Sequence, residues 1–195
     1  MKNFLNLRQP ASDQRKLASR GFTLLELLVV ISIIGLLASI ALVSLDSARK
    51  KTRDTQRLSD MAGIQKALRL YYEKNNQYPD NSAGGYDEID CAEWDSGYYD
   101  SNDTFIDPLV NEGYFTKVPG DPVFEGCSGG SGGYRYNLYP AGSNGCDLSR
   151  GKFYILGVTN MESVSGQHLQ SPGFKECGFD WYSAGFEWYA GSFEK

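Results

Sequence analysis

The chain begins polar and basic, then turns apolar abruptly. From Phe22 to Leu45 the sequence FTLLELLVVISIIGLLASIALVSL holds a single charged residue, Glu26, in 24 positions. A helix of that length, at about 1.5 Å per residue, covers a hydrocarbon core of roughly 30 Å. It is apolar on every side, the pattern of a membrane span or of a bundle interior. After Leu45 the period changes. Leu58, Met61, Ile64, Leu68 and Tyr71 recur at three- and four-residue intervals and predict an amphipathic helix over 46–76. No proline interrupts Phe22 to Asn75, so the two patterns predict one continuous helix of about 54 residues.

Asn75-Asn76 supplies a stop, and Tyr78-Pro79 opposes any continuation. Residues 80–117 read as a polar loop region, with Leu109 to Phe115 forming a short helix or turn, and 126–133 (GCSGGSGG) as a glycine-rich loop. Tyr134 to Tyr139 and Lys152 to Thr159 read as an antiparallel pair resting one face on the Leu58–Tyr71 stripe. In the aromatic tail FDWYSAGFEWYAGSFEK, Phe186 and Trp188 flank Glu187 in alternation, and Ser183-Ala184-Gly185 is placed to turn a hairpin. Such alternation predicts a sheet face on a core; a surface or sugar-binding patch is the functional alternative. The fold class expected is α+β: a long N-terminal helix with a small antiparallel sheet packed on its C-terminal half.

Charge divides the chain in the same places. Residues 1–21 carry a net +4, 22–74 a net +3 and 75–195 a net −12. Basic residues beside an apolar segment are retained in the cytoplasm, so 1–21 is expected inside and 77–195 outside. A secretory signal has a shorter apolar core, of about 7–15 residues, followed by a small-x-small site; this one runs on to Leu45. A carboxylate within such a helix costs a few kcal/mol by insertion scales unless paired, so Glu26 is a functional candidate. Cleavage between Gly21 and Phe22 would create an ammonium four residues away, and pairing Glu26 with a neighbouring subunit's amine would set axial register. The basic cluster Arg49, Lys50, Lys51, Arg53 and Arg57, interleaved with Asp46, Asp54 and Asp60, reads as a solvated helical face, and a nucleic-acid partner is not expected from it.

Cys91, Cys127, Cys146 and Cys177 all lie in the part expected outside, where an even count favours disulfides. Of three pairings, Cys127 with Cys146 and Cys91 with Cys177 is preferred, because the first bridge would close a loop around the Tyr134 strand. Zinc lacks its spacing: no CxxC pair occurs, and His168 stands apart from the cysteines, in a loop. Asp87, Glu88, Asp90, Asp95, Asp100, Asp103 and Asp107 offer oxygen ligands for calcium but lack the EF-hand spacing, so solvated surface is the preferred reading and no cofactor is expected. Neither a GxSxG elbow nor a phosphate-binding glycine loop is present, and nothing nominates an enzyme.

Gly21-Phe22-Thr23-Leu24-Leu25-Glu26, followed by the apolar run, resembles the amino-terminal signature of type IV pilins and type II secretion pseudopilins. Tyr72-Glu73-Lys74-Asn75-Asn76-Gln77-Tyr78-Pro79 is similar to the end of the helix in major-type pseudopilins. Val118-Pro119-Gly120-Asp121-Pro122 resembles their Leu-Pro-x-Asp-Pro loop, and Tyr134 and Tyr136 stand for the Tyr-x-Tyr strand after it. The resemblance implies cleavage after Gly21 by a prepilin peptidase, N-methylation of Phe22, and self-assembly into a helical filament through Glu26 and the apolar helix. It divides the chain into a leader (1–21), a transmembrane and filament-core helix (22–45), its amphipathic continuation (46–76) and an exported head (77–195). The partners implied are an inner-membrane assembly platform and membrane lipid before assembly. The place implied is the inner membrane, single-pass with the leader cytoplasmic, and then an extracellular pilus or a periplasmic pseudopilus. DNA uptake stays among the roles open to such a filament, and a membrane-anchored binding protein with no filament role is the remaining alternative.

Overall fold

A computed structural model describes residues 21–80, 94–97, 105–123 and 133–195. The expected helix is a single element, α1, Leu24–Asn75, of 52 residues. It stops where the asparagines stand: Asn76 takes the left-handed conformation at φ 55°, and its N–H donates to the Tyr72 carbonyl at 2.8 Å. Two units are distinguished along the chain, Met1–Val43 and Ser44–Lys195. The described part of the first is helix with its start; the second contains the sheet and the core.

That second unit holds the short strand β1 (Asp95–Gly97), the one-turn helix α2 (Asp107–Asn111), and strands β2 (Gly133–Tyr139), β3 (Phe153–Thr159) and β4 (Trp188–Phe193). They form one sheet in the order β1-β2-β3-β4, each strand antiparallel to the next, with Tyr134 opposite Val158 and Val158 opposite Trp188. Residues two apart in a strand share a face, and here both faces are covered. Tyr134, Tyr136, Tyr154, Leu156, Val158 and Trp188 point to one side and pack on Met61, Ile64, Ala67 and Leu68 of α1. Tyr139, Phe153, Ile155, Tyr189 and Phe193 point to the other, beneath Phe174, Trp181 and Phe186 from the 160–187 segment.

Two glycines make the second layer close. A Cβ on Gly157 would collide with the Phe186 ring, and one on Gly191 would lie 2.7 Å from both Phe174 Cδ2 and the Tyr154 carbonyl. The aromatic rings therefore rest directly on strand backbone.

Three expectations change. The 80–117 stretch is not loop alone: Phe105, Ile106 and Leu109 are buried in the main core, and Asp95–Gly97 is a strand. Phe186 and Trp188 do not share a face. Residues 181–185 form a turn in which the Phe186 N–H donates to the Trp181 carbonyl at 3.3 Å, and β4 begins only at Trp188, paired with β3 instead of with a hairpin partner. Phe186 thus folds over Gly157, while Trp188 enters the helix-facing core.

The disulfide pairing also differs, since Cys146 is joined to Cys177 with Cα atoms 4.3 Å apart. Loop closure around one strand was the wrong criterion. The second aromatic layer brings the segment after β2 against the segment after Phe174, where Gly145 lies alongside the Gly178 backbone. Cys91 and Cys127 lie outside the described residues. The bridge spans a sequence separation of 31, for which loop-closure entropy gives about 3–4 kcal/mol. Replacing Cys146 and Cys177 together by serine should lower unfolding free energy by about 3 kcal/mol in urea melts. A non-reduced peptide map should link those two cysteines, and a Cys127–Cys146 peptide would refute the pairing.

Candidate functional site

The start of α1 is built by four consecutive residues. Thr23 precedes the first helical residue and Glu26 is the third within it, the spacing of a capping box. The Glu26 backbone N–H donates to Thr23 Oγ1 at 3.2 Å, and the Thr23 N–H reaches back to Glu26 Oε2 at 2.9 Å. The Thr23 hydroxyl also donates to that oxygen, at 2.7 Å. Within the chain, then, Glu26 is held by Thr23, a partner the sequence reasoning missed although T-x-x-E before an apolar run is its signature. Gly21 and Phe22 stand exposed immediately before the cap, so the expected cleavage position and the carboxylate lie within five residues of each other.

The surface behind that cap is almost wholly apolar. Sixteen large apolar side chains from Phe22 to Leu45 are exposed, covering every side of the helix. The polar interruptions are satisfied locally: Ser32 donates to the Leu28 carbonyl at 2.8 Å and Ser39 to the Leu36 carbonyl at 2.7 Å. An uncovered apolar surface of this extent requires lipid or other helices around it. Among the described residues this is the one helix long and apolar enough to cross a membrane.

In the second unit the same helix carries a buried ionic cluster. Arg57 and Asp54 are each 2% exposed and Asp121 is 1% exposed, which overturns the expectation of a solvated charged face here. Arg57 grips Asp121 with two parallel bonds, Nε to Oδ2 at 2.7 Å and Nη2 to Oδ1 at 3.0 Å. Its Nη1 donates to Asp54 Oδ1 at 2.7 Å and to Glu162 Oε1 at 2.8 Å. Asp54 accepts the backbone N–H of Glu162 at 3.0 Å and of Ser163 at 2.7 Å, while Arg53 forms a forked pair with Glu162. The basic cluster therefore splits: Arg53 and Arg57 serve the fold, while Lys50 pairs with Asp46 at the surface at 3.0 Å.

The titration directions follow. Burial alone would raise the Asp54 carboxyl, but hydrogen bonds from Ser163, the Glu162 amide and Arg57 hold it below its ordinary value. Glu162 is lowered chiefly by its bond from Arg53. Arg57 is raised despite burial, through Asp121, Asp54 and Glu162. Asp60 moves the other way, raised by burial, although the Tyr134 hydroxyl donates to it at 2.7 Å.

The Pro-Gly-Asp-Pro loop and the Tyr-x-Tyr strand gain physical meaning from these contacts. Asp121 is the loop's hold on α1, and Tyr134 and Tyr136 tie their hydroxyls to Asp60 and to the Pro79 carbonyl. His168 sits in the 160–187 segment, its Nδ1 accepting the Gln170 N–H at 3.1 Å. Of the acidic candidates for calcium, Asp95 accepts the Ile106 N–H at 2.9 Å and Asp107 sits in the first turn of α2. Asp87, Glu88, Asp90, Asp100 and Asp103 lie outside the described residues. Among the described residues no group of three or more His, Cys, Asp or Glu is arranged to hold a metal.

Residues 16–42 match the family model described as the prokaryotic N-terminal methylation motif. The chain is 33% identical over 107 residues to the type II secretion system core protein G of Escherichia coli, a match covering 53% of this chain and 66% of that one. To the type II secretion system core protein G of Aeromonas hydrophila it is 39% identical over 121 residues, covering 55% and 70%. To the type IV wide pilus major component PilA4 of Thermus thermophilus it is 40% identical over 65 residues, covering 33% and 50%. The chain thus spans between 50% and 70% of the length of these relatives. No solved structure shows a significant match.

The ionic cluster is open to direct test. Asp121→Ala leaves a buried guanidinium short of a carboxylate and should cost about 3–5 kcal/mol in a denaturant melt. Because Asp54 and Glu162 titrate below their unfolded values, their contribution is complete above the ordinary carboxylate range and lost as pH falls through it. Asp60, raised, acts in the opposite sense and offsets part of that loss. Melts should therefore show stability falling below about pH 4, with a shallower acid limb in Asp54→Asn.

Proposed function

The chain belongs to the type IV pilin and type II secretion pseudopilin family, and on that premise we propose that it is a structural subunit of a helical filament, with no catalytic role. The observation that carries this reading is α1 itself. One unbroken helix, Leu24–Asn75, presents an all-round apolar surface from its first residue to Leu45 and then the stripe on which the sheet is packed. In this proposal a prepilin peptidase cuts after Gly21, Phe22 is N-methylated, and the apolar segment waits in the inner membrane with its leader cytoplasmic. An assembly platform in that membrane then transfers it from lipid into a bundle of like helices. Lipid and bundle are comparably apolar, so packing and the contact made by Glu26 decide affinity and register.

A second reading within the family is the short periplasmic pseudopilus of a type II secretion system. It is favoured by the reach of the alignments: 121 residues against the Aeromonas core protein G, 65 against the wide-pilus component. Surface filaments seen by electron microscopy and lost with the gene select the pilus; loss of enzyme export without surface filaments selects the pseudopilus. DNA uptake would belong to the first.

Intact-mass measurement on protein purified from membranes should find chains beginning at Phe22 and carrying one added methyl group. Retention of residues 1–21 in the assembled form would overturn the proposal.

Glu26 separates the cap from the assembly contact. Gln at the third helical position also completes a capping box, so Glu26→Gln keeps the local helix start and removes only the charge. If the carboxylate pairs with a neighbouring amine, Glu26→Gln and Glu26→Ala should both reach normal membrane levels and both fail to enter filaments. Normal incorporation of Glu26→Gln would reduce the residue to its cap.

A further inference from the structure

The sheet face away from α1 carries a cleft of about 340 Å³ that the filament reading does not use. Five aromatic side chains line it: Trp94, Tyr139, Phe179, Trp181 and Phe186. Their planes are set at wide angles: Trp94 meets Trp181 at 89° with centroids 6.1 Å apart, and meets Tyr139 at 75° and 5.8 Å. The remaining wall holds three polar side chains, Arg135 and Thr159 from β2 and β3 and Asn144 from the loop between them, together with Ala184 and Gly185. This volume lies in the range of small-molecule sites, which combine apolar walls with a few placed polar groups.

A second observation points to an occupant. Among the described residues, the buried side-chain polar atoms lacking a hydrogen-bond partner are Thr159 Oγ1 and Trp181 Nε1. Both belong to residues lining this one cleft. Trp181 is 2% exposed, and a buried indole N–H ordinarily finds an acceptor. Trp188 illustrates the ordinary case, donating to the Gln170 carbonyl at 3.1 Å.

We propose that this cleft binds a saccharide, seating one pyranose ring against the aromatic wall with its hydroxyls turned to Trp181 Nε1 and Thr159 Oγ1. The combination selects the ligand class. A purely apolar ligand would leave both orphaned atoms unpaired, and a simple ion would make no use of five aromatic rings. A pyranose presents apolar C–H faces to aromatic rings and acceptor and donor hydroxyls at its edge. A hydroxyl arriving at either atom breaks no existing hydrogen bond. Of the five rings Phe179 is the most open to solvent, 41% exposed, and it packs on Trp181 with centroids 4.6 Å apart. The inference rests on the geometry of the sheet's second layer alone, so its failure leaves the filament reading intact and the reverse also holds.

The test uses the full chain in micelles of a phosphocholine detergent, which brings no sugar headgroup, with the indole N–H signals of its three tryptophans followed by NMR. The probes are the methyl glycosides of glucose, galactose, mannose and N-acetylglucosamine. At least one should move the Trp181 signal saturably, with a dissociation constant on the order of 1–10 mM, while the Trp188 signal stays in place. Thr159→Val is nearly isosteric and deletes an unpaired group, so its melting temperature should hold or rise while glycoside binding weakens about five-fold or more. Trp181→Phe keeps an aromatic ring, loses the donor, and is read on the Trp94 signal. Weakening in either variant supports the site. The proposal is overturned if no glycoside shifts Trp181 saturably up to about 100 mM, or if both variants bind as tightly as the parent.

Discussion

Once Arg57 is taken out of water, its guanidinium has to find acceptors that lie far away in sequence. It has five N–H donors in a fixed plane and no means of shedding its charge. Asp54 is one turn away on the same helix, but Asp121 and Glu162 are 64 and 105 positions distant. Their carboxylates converge only when the Pro-Gly-Asp-Pro loop and the segment after β3 are both seated against this level of α1. The cluster therefore discriminates among arrangements that the apolar stripe alone would accept, because a helix slid by one turn keeps an apolar face on the sheet but loses its acceptors. Its net contribution to stability is modest, since desolvation cancels much of the attraction, and its effect is on which packing is allowed.

Around that anchor the sheet is an ordinary solution to an unusual demand, that both faces be dry. The helix supplies one cover. The other is made of aromatic rings from a segment with little regular structure, and it closes only because Gly157 and Gly191 let Phe186 and Phe174 reach the backbone. Tyrosines suit such a sheet because the ring fills the core while the hydroxyl reaches a polar partner at its margin, as Tyr134 does with Asp60 and Tyr136 with Pro79.

This division explains what could be read from the residues. The stripe Leu58–Tyr71, the stop at Asn76 and strands β2 and β3 rest on local periodicity and local turn chemistry, and they were legible. The ionic cluster was not, because reading along a helix assigns charged residues to solvent, and nothing local marks Arg57 as buried while Lys50 is not. The Cys146–Cys177 bridge and the parting of Phe186 from Trp188 were hidden for a related reason. Both are settled by how a non-repetitive segment lies over the sheet, a matter of long-range packing without period. The Thr23–Glu26 cap is different: its T-x-x-E spacing is on view in the sequence, and it supplies the carboxylate with a neutral partner three residues away.

That neutral partner sharpens what the carboxylate is for. A cap needs an acceptor at the third helical position, and a glutamine would provide one without placing a charge beside hydrocarbon. Both bonds from Thr23 fall on the same oxygen, Oε2, so Oε1 takes no part in the box. The cap therefore accounts for the orientation of the side chain and for half of its acceptor capacity, but not for its charge. Held by Thr23 against the helix start, the carboxylate loses little further side-chain entropy when a cation approaches its second oxygen, which lowers the cost of any pairing between adjacent chains. In the proposed filament, cap and charge would be successive parts of one arrangement, the first fixing the position that the second requires.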